Sequence, residues 1–302
     1  MLPEMYTTCA TMASLGVPLV GIVIGFIAIL FAAVCDIRTR EVPDWLNYSL
    51  LAFAIGNAII LSINSSSWSF ILNAAAGLVF GLVIGLSMFY AGQWGGGDSK
   101  LIIGLSALIG INISLLLALK AVPLIVIFFV DLMIVGAVYG LGYSLVIAFL
   151  NFRKCKDAAL EFIKKKEMIA LRMIILLLIL VSFGNFLLKR SLDSLVWVAF
   201  SLLFLFLFYL WLLISIVEKV CMIKQVRISE LTEGDWVVNP VMKGKKLLLK
   251  PTKTGISRQE IALLKKNKVT GVVIKIGIPF VPSFLIAYVL LFAIGNWLVY
   301  FF

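Results

Sequence analysis

The sequence predicts an all-α membrane protein, a polytopic bundle of about eight (six to eight) transmembrane helices with a small cytoplasmic β-rich subdomain. Three observations predict it. Of 302 residues, 63% are hydrophobic and only 14% charged, whereas soluble domains run near half apolar and about a quarter charged. The mean hydropathy is +1.13. The apolar residues gather into long runs, and the basic residues collect between alternate runs.

Eight runs read as spans, in order 17–35, 45–63, 69–91, 101–119, 121–150, 169–188, 195–217 and 279–301. About 20 apolar residues cross a hydrocarbon layer of about 30 Å, and most of the runs are long enough. The fourth and fifth are divided at Lys120-Ala121-Val122-Pro123. Proline is disfavoured inside a helix, and the undivided run is too long for one crossing. The first run resembles a signal peptide only in position. It lacks a basic leading segment, and Val34 in Ala32-Ala33-Val34-Cys35 is too large for a lipoprotein cleavage site, so the helix is read as retained.

Counting Lys and Arg on alternate sides places 23 of 26 on one side, in 36–44, 92–100, 151–172 and 218–278. Lys120, Lys189 and Arg190 fall on the other. The basic side is therefore read as cytoplasmic, with both termini outside. That sorting accounts for the formal charge of +11 without a nucleic-acid partner.

Two segments break the apolar pattern. Residues 151–168, with Lys164-Lys165-Lys166, read as a basic interfacial helix or loop lying on anionic lipid. Residues 220–278 hold short alternating runs, Trp236-Val237-Val238 and Val272-Val273-Ile274-Lys275 among them, and a helical stretch at 257–267. The expected organisation is a core at 1–150 and a basic loop with two further helices at 151–219. A β-rich subdomain follows at 220–278, then a terminal helix at 279–302.

Composition excludes several chemistries. With no histidine there is no Ser-His-Asp or Cys-His catalysis and no His-ligated metal. Cys9, Cys35, Cys155 and Cys221 form no C-x-x-C pair, so neither a zinc site nor a disulfide framework is signalled. No cofactor is expected.

Acids at the membrane face stand out, because a carboxylate is costly to place in a bilayer. Asp36 closes the first span, and Asp98 opens the fourth after Gly95-Gly96-Gly97. Both fall on the basic side at similar depth. Two carboxyls suffice for peptide hydrolysis: one takes a proton from water while the other, protonated, polarises the carbonyl. Held together, they share a proton because two adjacent negative charges repel. The glycines would admit positive φ and let an extended peptide approach the acid. Plainer roles exist: Asp98 as a helix N-cap, Asp36 in an ion pair with Arg38 or Arg40, Asp44 as an N-cap, Glu41 solvated. Lys100 would act on Asp98 or on lipid phosphate, and Asp131 would be a protonated structural acid inside the fifth span.

Gly95-Gly96-Gly97-Asp98-Ser99-Lys100-Leu101 resembles the G-x-G-D-x-K-L element of GxGD-type intramembrane aspartic proteases, in particular the prepilin peptidases. Asp36 with Arg38, Arg40, Val42-Pro43 and Asn47 is similar to their first catalytic aspartate and the loop after it. Leu231-Thr232-Glu233-Gly234-Asp235, Thr254-Gly255-Ile256-Ser257 and Gly277-Ile278-Pro279-Phe280-Val281-Pro282-Ser283-Phe284 resemble the tail of archaeal preflagellin and prepilin peptidases. The resemblance covers about 30–105 and 225–295. It implies catalytic Asp36 and Asp98, a substrate-binding loop of Gly95, Gly96, Gly97 and Lys100, and no metal. The implied substrates are type IV pilin-like or archaellin precursors, cut at the cytoplasmic face of the cell membrane between a glycine and a hydrophobic helix. The paired C-x-x-C motifs of bacterial prepilin peptidases are missing, so proteolysis alone is implied, without N-methylation. The extra helices in 150–220 go beyond the six-span plan of the core family.

Two other readings remain at the level of sequence. A signal-peptide-peptidase or presenilin-like protease would pair Tyr-Asp with GxGD and carry Pro-Ala-Leu, but Cys35 precedes Asp36 and no Pro-Ala-Leu occurs. A proton-coupled transporter would use Asp36, Asp98 and Asp131 as relay acids. For the protease without substrate, the two catalytic carboxyls are expected either to be hydrogen-bonded with one of them raised in pKa or, the favoured state, to stand too far apart to share a water, with the first and fourth helices neighbours in both cases.

Overall fold

The computed structural model describes residues 18–117, 122–243, 246–252 and 254–297. The positions of Cys9, Lys120 and the last four residues of the eighth span lie outside them. Eleven α-helices are described: α1 Leu19–Thr39, α2 Asp44–Asn64, α3 Ser69–Tyr90, α4 Gly96–Ile109, α5 Ile113–Leu117, α6 Leu124–Leu150, α7 Phe152–Ile163, α8 Lys166–Lys189, α9 Leu192–Val220, α10 Arg258–Lys266 and α11 Val281–Ile294. Short strands β1 Ile223–Arg227, β2 Trp236–Val237, β3 Val241–Lys243, β4 Lys246–Leu249 and β5 Gly271–Lys275 fill the C-terminal region. Six helices, α1, α2, α3, α6, α8 and α9, are long and apolar enough to cross a membrane. The protein is a multi-pass helical membrane protein.

The fourth expected span differs most from its sequence reading. Instead of one helix over 101–119, the chain forms the 14-residue α4, turns at Gly110 with φ 70°, and resumes in α5. Gly110 interrupts the helix because its Cα packs against α3 at Gly77, and Ile111 N–H bonds to the Asn73 carbonyl at 2.9 Å. A short helix suffices there because most of α4 from Ser99 to Ile109 is buried, all but Lys100 and Ile103.

The chain divides into two compact units. The first comprises residues up to 140, 226–272 and 277 onward; the second comprises 141–225 and 273–276.

In the first unit, α4 packs against α3 and α2, and α11 packs against α1. The α3–α4 contact follows from sequence. Gly77, Gly81 and Gly85 recur every four residues and form the buried stripe of α3, where the backbone and side chain of Ser106 and the backbone of Ser99 come too close for a Cβ. The buried face of α1 is made the same way, from Gly21, Gly25, Ala28, Ile29, Ala32, Ala33 and Asp36. That spacing is helical, so Asp36 points where the small residues point, into the bundle. The aromatic side chains of Phe128, Phe284 and Tyr288 are the largest fully buried groups.

Two of the three tail motifs of the sequence, 231–235 and 254–257, meet in this unit. Gly234 N–H bonds to the Ile256 carbonyl at 2.8 Å, and Ile256 N–H bonds back to Asp235 at 2.9 Å. β3 and β4 pair antiparallel with Val241 opposite Leu249 and Met242 opposite Leu247. Ser257 caps α10 by accepting the Glu260 N–H, while Glu260 accepts the Ser257 N–H at 2.9 Å.

In the second unit α8 and α9 form an antiparallel hairpin, turned at Arg190 (φ 46°) and capped by Ser191. The Ser182 and Ser201 hydroxyls bond across it at 2.9 Å. The amphipathic α7 packs on α9, where Phe162 meets Trp211 and the Lys165 and Lys219 ammoniums lie over the Phe162 ring at 4.8 and 4.4 Å. Most large side chains of α8 and α9 are exposed, as lipid contact requires.

Candidate active site

Three chain segments of the first unit converge on Asp36. The first is its own helix end. α1 stops at Arg40, which takes the left-handed conformation with φ 61°, its N–H bonded to the Asp36 carbonyl at 2.9 Å. The second is the start of α11, where Val281 N–H donates to Asp36 Oδ2 at 2.9 Å. The Arg40 guanidinium donates to the Gly277 carbonyl and so ties the approach to α11 to the end of α1. Asp36 is 5% exposed, and its anchored oxygen is an acceptor.

The third segment is the glycine run with Asp98. After α3 the chain reverses at Gly92 (φ 71°) and Trp94 turns inward. Its ring lies 6.1 Å from Phe280, 5.6 Å from Phe284 and 6.5 Å from Phe129, so the loop is held by the same α11 that holds Asp36. Gly95 is the N-cap of α4, with φ −70° and ψ 165°. Asp98 occupies the first turn and accepts the Gly95 N–H at 3.3 Å through Oδ2.

The glycines therefore work differently from their sequence reading. The left-handed turn is at Gly92, and Gly96 and Gly97 are already helical. What Gly97 supplies is space: an added Cβ would stand 3.1 Å from Val42 Cβ and 3.2 Å from Val42 N. At Gly96 the nearest atom would be a Phe89 ring carbon at 3.9 Å. The loop after Asp36 thus lies directly on the turn that carries Asp98. Asn47, 2% exposed, strengthens that contact, its Nδ2 donating to the Gly97 carbonyl at 3.4 Å. Its Oδ1 is buried without a partner.

Asp98 lies outside the six long spans. Loss of hydration pushes its carboxyl up to about 7; the charge of Asp36 adds to the rise and the Gly95 N–H opposes it. The two acids thus lie in each other's field, yet each bonds a backbone N–H and neither bonds the other. α1 and α4 are in contact, as the paired arrangement requires.

The other acids and Lys100 sit elsewhere in the network. Lys100 Nζ pairs with Asp44 Oδ1 at 2.5 Å and lies 5.6 Å from the Tyr48 ring, so its carboxylate partner is Asp44 and not Asp98. Asp44 is the first residue of α2 and makes no cap; Pro43 precedes it as N-cap. Asp131, buried, accepts the Trp297 indole N–H at 2.8 Å, and its Oδ2 has no partner. Among the described residues, no three Cys, Asp or Glu side chains gather as metal ligands.

Asn47, Trp94 and Val281 shape the site but had no role of their own in the sequence reading, whereas Arg40 was expected as an ion-pair partner of Asp36 and also ties Gly277 to the end of α1. Asn47 had a detectable signal, since it stands on the stripe Asn47, Leu50, Ala54, Ala58 that faces the core. A polar amide there requires a partner. Val281 acts through its backbone, which leaves no mark on residue type.

This arrangement has sequence relatives. Residues 23–141 match the type IV leader peptidase family. The matched segment contains Asp36, Asp98 and the glycine run. Over 87 residues the chain is 38% identical to a preflagellin peptidase of Methanococcus maripaludis, covering 29% of this chain and 37% of that protein. Over 91 residues it is 33% identical to a preflagellin peptidase of Methanocaldococcus jannaschii, covering 30% and 38%. A preflagellin peptidase of Methanococcus voltae is 29% identical over 86 residues, covering 28% and 36%. The chain thus matches less than two-fifths of the length of these relatives.

Proposed function

We propose that the protein is a membrane aspartic endopeptidase that removes the short leader of type IV pilin-like precursors, archaellin precursors among them, at the cytoplasmic membrane face. One observation carries the reading: α1 and α4 bring two carboxyls from distant sequence positions into one field, where Asp98 is raised to about 7 by lost hydration and by Asp36. Acids poised in this way divide the labour of hydrolysis.

Asp98, protonated, donates to the scissile carbonyl oxygen. Asp36, with Oδ2 held by Val281 N–H, keeps its second oxygen for the attacking water and takes the water's proton. Oxygen adds to the carbonyl carbon; the C–N bond then breaks as the proton held by Asp36 passes to the leaving amine and Asp98 regains its own. The substrate's hydrophobic helix remains in lipid while its extended junction enters beside Gly95–Gly97. Because the carboxyls are not bonded to each other, the substrate and its water complete the site on binding.

The test is a processing assay with membranes and a pilin or archaellin precursor, reading the product N-terminus. Asp36→Asn and Asp98→Asn keep shape and remove acid–base capacity, so each should lower cleavage at least 1,000-fold, on the order of what a lost acid or base costs. Folded variants that still process the precursor would refute the assignment. A precursor left whole by the wild-type protein would refute the substrate class.

A further inference from the structure

We propose that Cys155 and Cys221 are a disulfide-forming pair, a modification site within the helical unit 141–225 whose oxidant is a small organic disulfide. The two sulfurs, 66 residues apart in sequence, lie 3.5 Å apart. Both are free thiols. A disulfide bond is about 2.05 Å long, so about 1.5 Å of approach, by rotation about the two Cα–Cβ bonds, closes it.

The surroundings suit a pair with distinct roles. Cys155 is the buried residue of α7, on the face that packs against α9. Cys221 follows the last turn of α9 with its N–H on the Val217 carbonyl, and is partly accessible. Burial and the adjacent Cys221 sulfur push the Cys155 thiol up to about 11, so it keeps its proton near neutrality. Cys221 is therefore the sulfur that meets the oxidant.

The reaction balances as two exchanges. The Cys221 thiolate attacks one sulfur of the organic disulfide, forms a mixed disulfide and expels one organic thiolate, which takes up the Cys221 proton. Cys155 then attacks Cys221 Sγ, expels the second organic thiolate and gives it its proton. Two protein thiols are oxidised and one organic disulfide becomes two thiols. The product joins the amphipathic α7 to the foot of α9 and closes a loop around the α8–α9 hairpin. In a reducing compartment such a bond is reversible, which makes the pair a sensor rather than a permanent staple.

The experiment uses the full chain in membranes with Cys9→Ser and Cys35→Ser, leaving only the pair. Samples are equilibrated with oxidised glutathione or with dithiothreitol, quenched in acid, denatured and tagged with polymer-linked maleimide. The expected result is two tags after reductant, none after oxidant, and recovery of both on re-reduction. A non-reduced digest of the unsubstituted chain should contain a peptide joining Cys155 to Cys221, a reading that does not depend on the serine variants folding. Dibromobimane, which fluoresces on bridging two neighbouring thiols, should label the reduced protein and fail on Cys155→Ser or Cys221→Ser. Two tags after oxidant, a glutathione adduct on Cys221 alone, or linkage only between separate chains would each overturn the proposal.

Discussion

Replacing Gly97 by alanine separates close packing from backbone freedom at the candidate site. The new Cβ would stand 3.1 Å from Val42 Cβ and 3.2 Å from Val42 N. Relaxed contacts between carbons lie at about 3.5–4.0 Å, so the 40–43 loop or the start of α4 must yield by about 0.5 Å. Overpacking of this kind costs about 1–3 kcal/mol. If the strain is relieved by moving Asp98 away from Asp36, it emerges as roughly a 5- to 150-fold loss of processing at little change in stability. If the bundle absorbs it, it emerges as a lower Tm. Gly96→Ala is the control, because its Cβ meets nothing nearer than 3.9 Å and alanine gains up to about 1 kcal/mol of helix propensity. Processing of a precursor and thermal unfolding in detergent, measured on both variants, decide the matter. Equal behaviour of Gly96→Ala and Gly97→Ala would refute the steric argument and return the glycines to a role in chain flexibility.

Two more outcomes follow from the acids. Because the folded protein holds the Asp98 carboxyl near about 7 against an ordinary 3.8, the stability gained by keeping it neutral is full below the ordinary value and is lost as pH rises through about 7. Asp98→Asn should therefore match the wild-type Tm at pH 4 and exceed it at pH 8, and wild-type processing should decline above about pH 7; a Tm difference that does not change with pH would contradict the raised carboxyl of Asp98. Asp131→Asn retains an oxygen for the Trp297 N–H and should keep processing while losing about 1 kcal/mol or less of stability; a folded but inactive variant would extend the site to α6.

The parts of the fold that were legible in the sequence are those set by local chemistry. Apolar length marks the six long helices, and the small-residue period of α1 already aims Asp36 inward. The glycine stripe of α3 was open to the same reading. What escaped depends on contacts made across the chain. Gly110 ends α4 because α3 approaches there, and nothing in 101–119 alone announces the break. Lys100 lies two residues from Asp98 but finds Asp44, 56 residues away, because on a helix neighbouring positions point in different directions. The Cys155–Cys221 approach had no spacing motif to betray it, since helix packing and not sequence proximity creates it.

The most distant of these contacts bears on which parts of the chain make up the candidate site. The family match ends at residue 141, and the first stretch of the compact unit that contains both acids ends at 140. That agreement would make 23–141 look self-sufficient, but Asp36 is held by Val281, 245 positions away. Along the same pair of helices the Tyr288 hydroxyl donates to the Ile22 carbonyl at 3.0 Å, so α11 is fastened to α1 at two levels. Phe280 and Phe284 seat Trp94, through which α11 also fixes the turn before Asp98. A helix N-terminus offers unpaired N–H groups and a partial positive charge, both suited to a carboxylate. α11 is thus the common support of both acids. Residues 141–225, with 273–276, belong to the other compact unit, whereas both acids and α11 belong to the first. The candidate site draws on the matched segment together with the residues from 277 onward, and a chain truncated at 141 would have both aspartates but lack the helix that holds Asp36 and steadies the turn bearing Asp98.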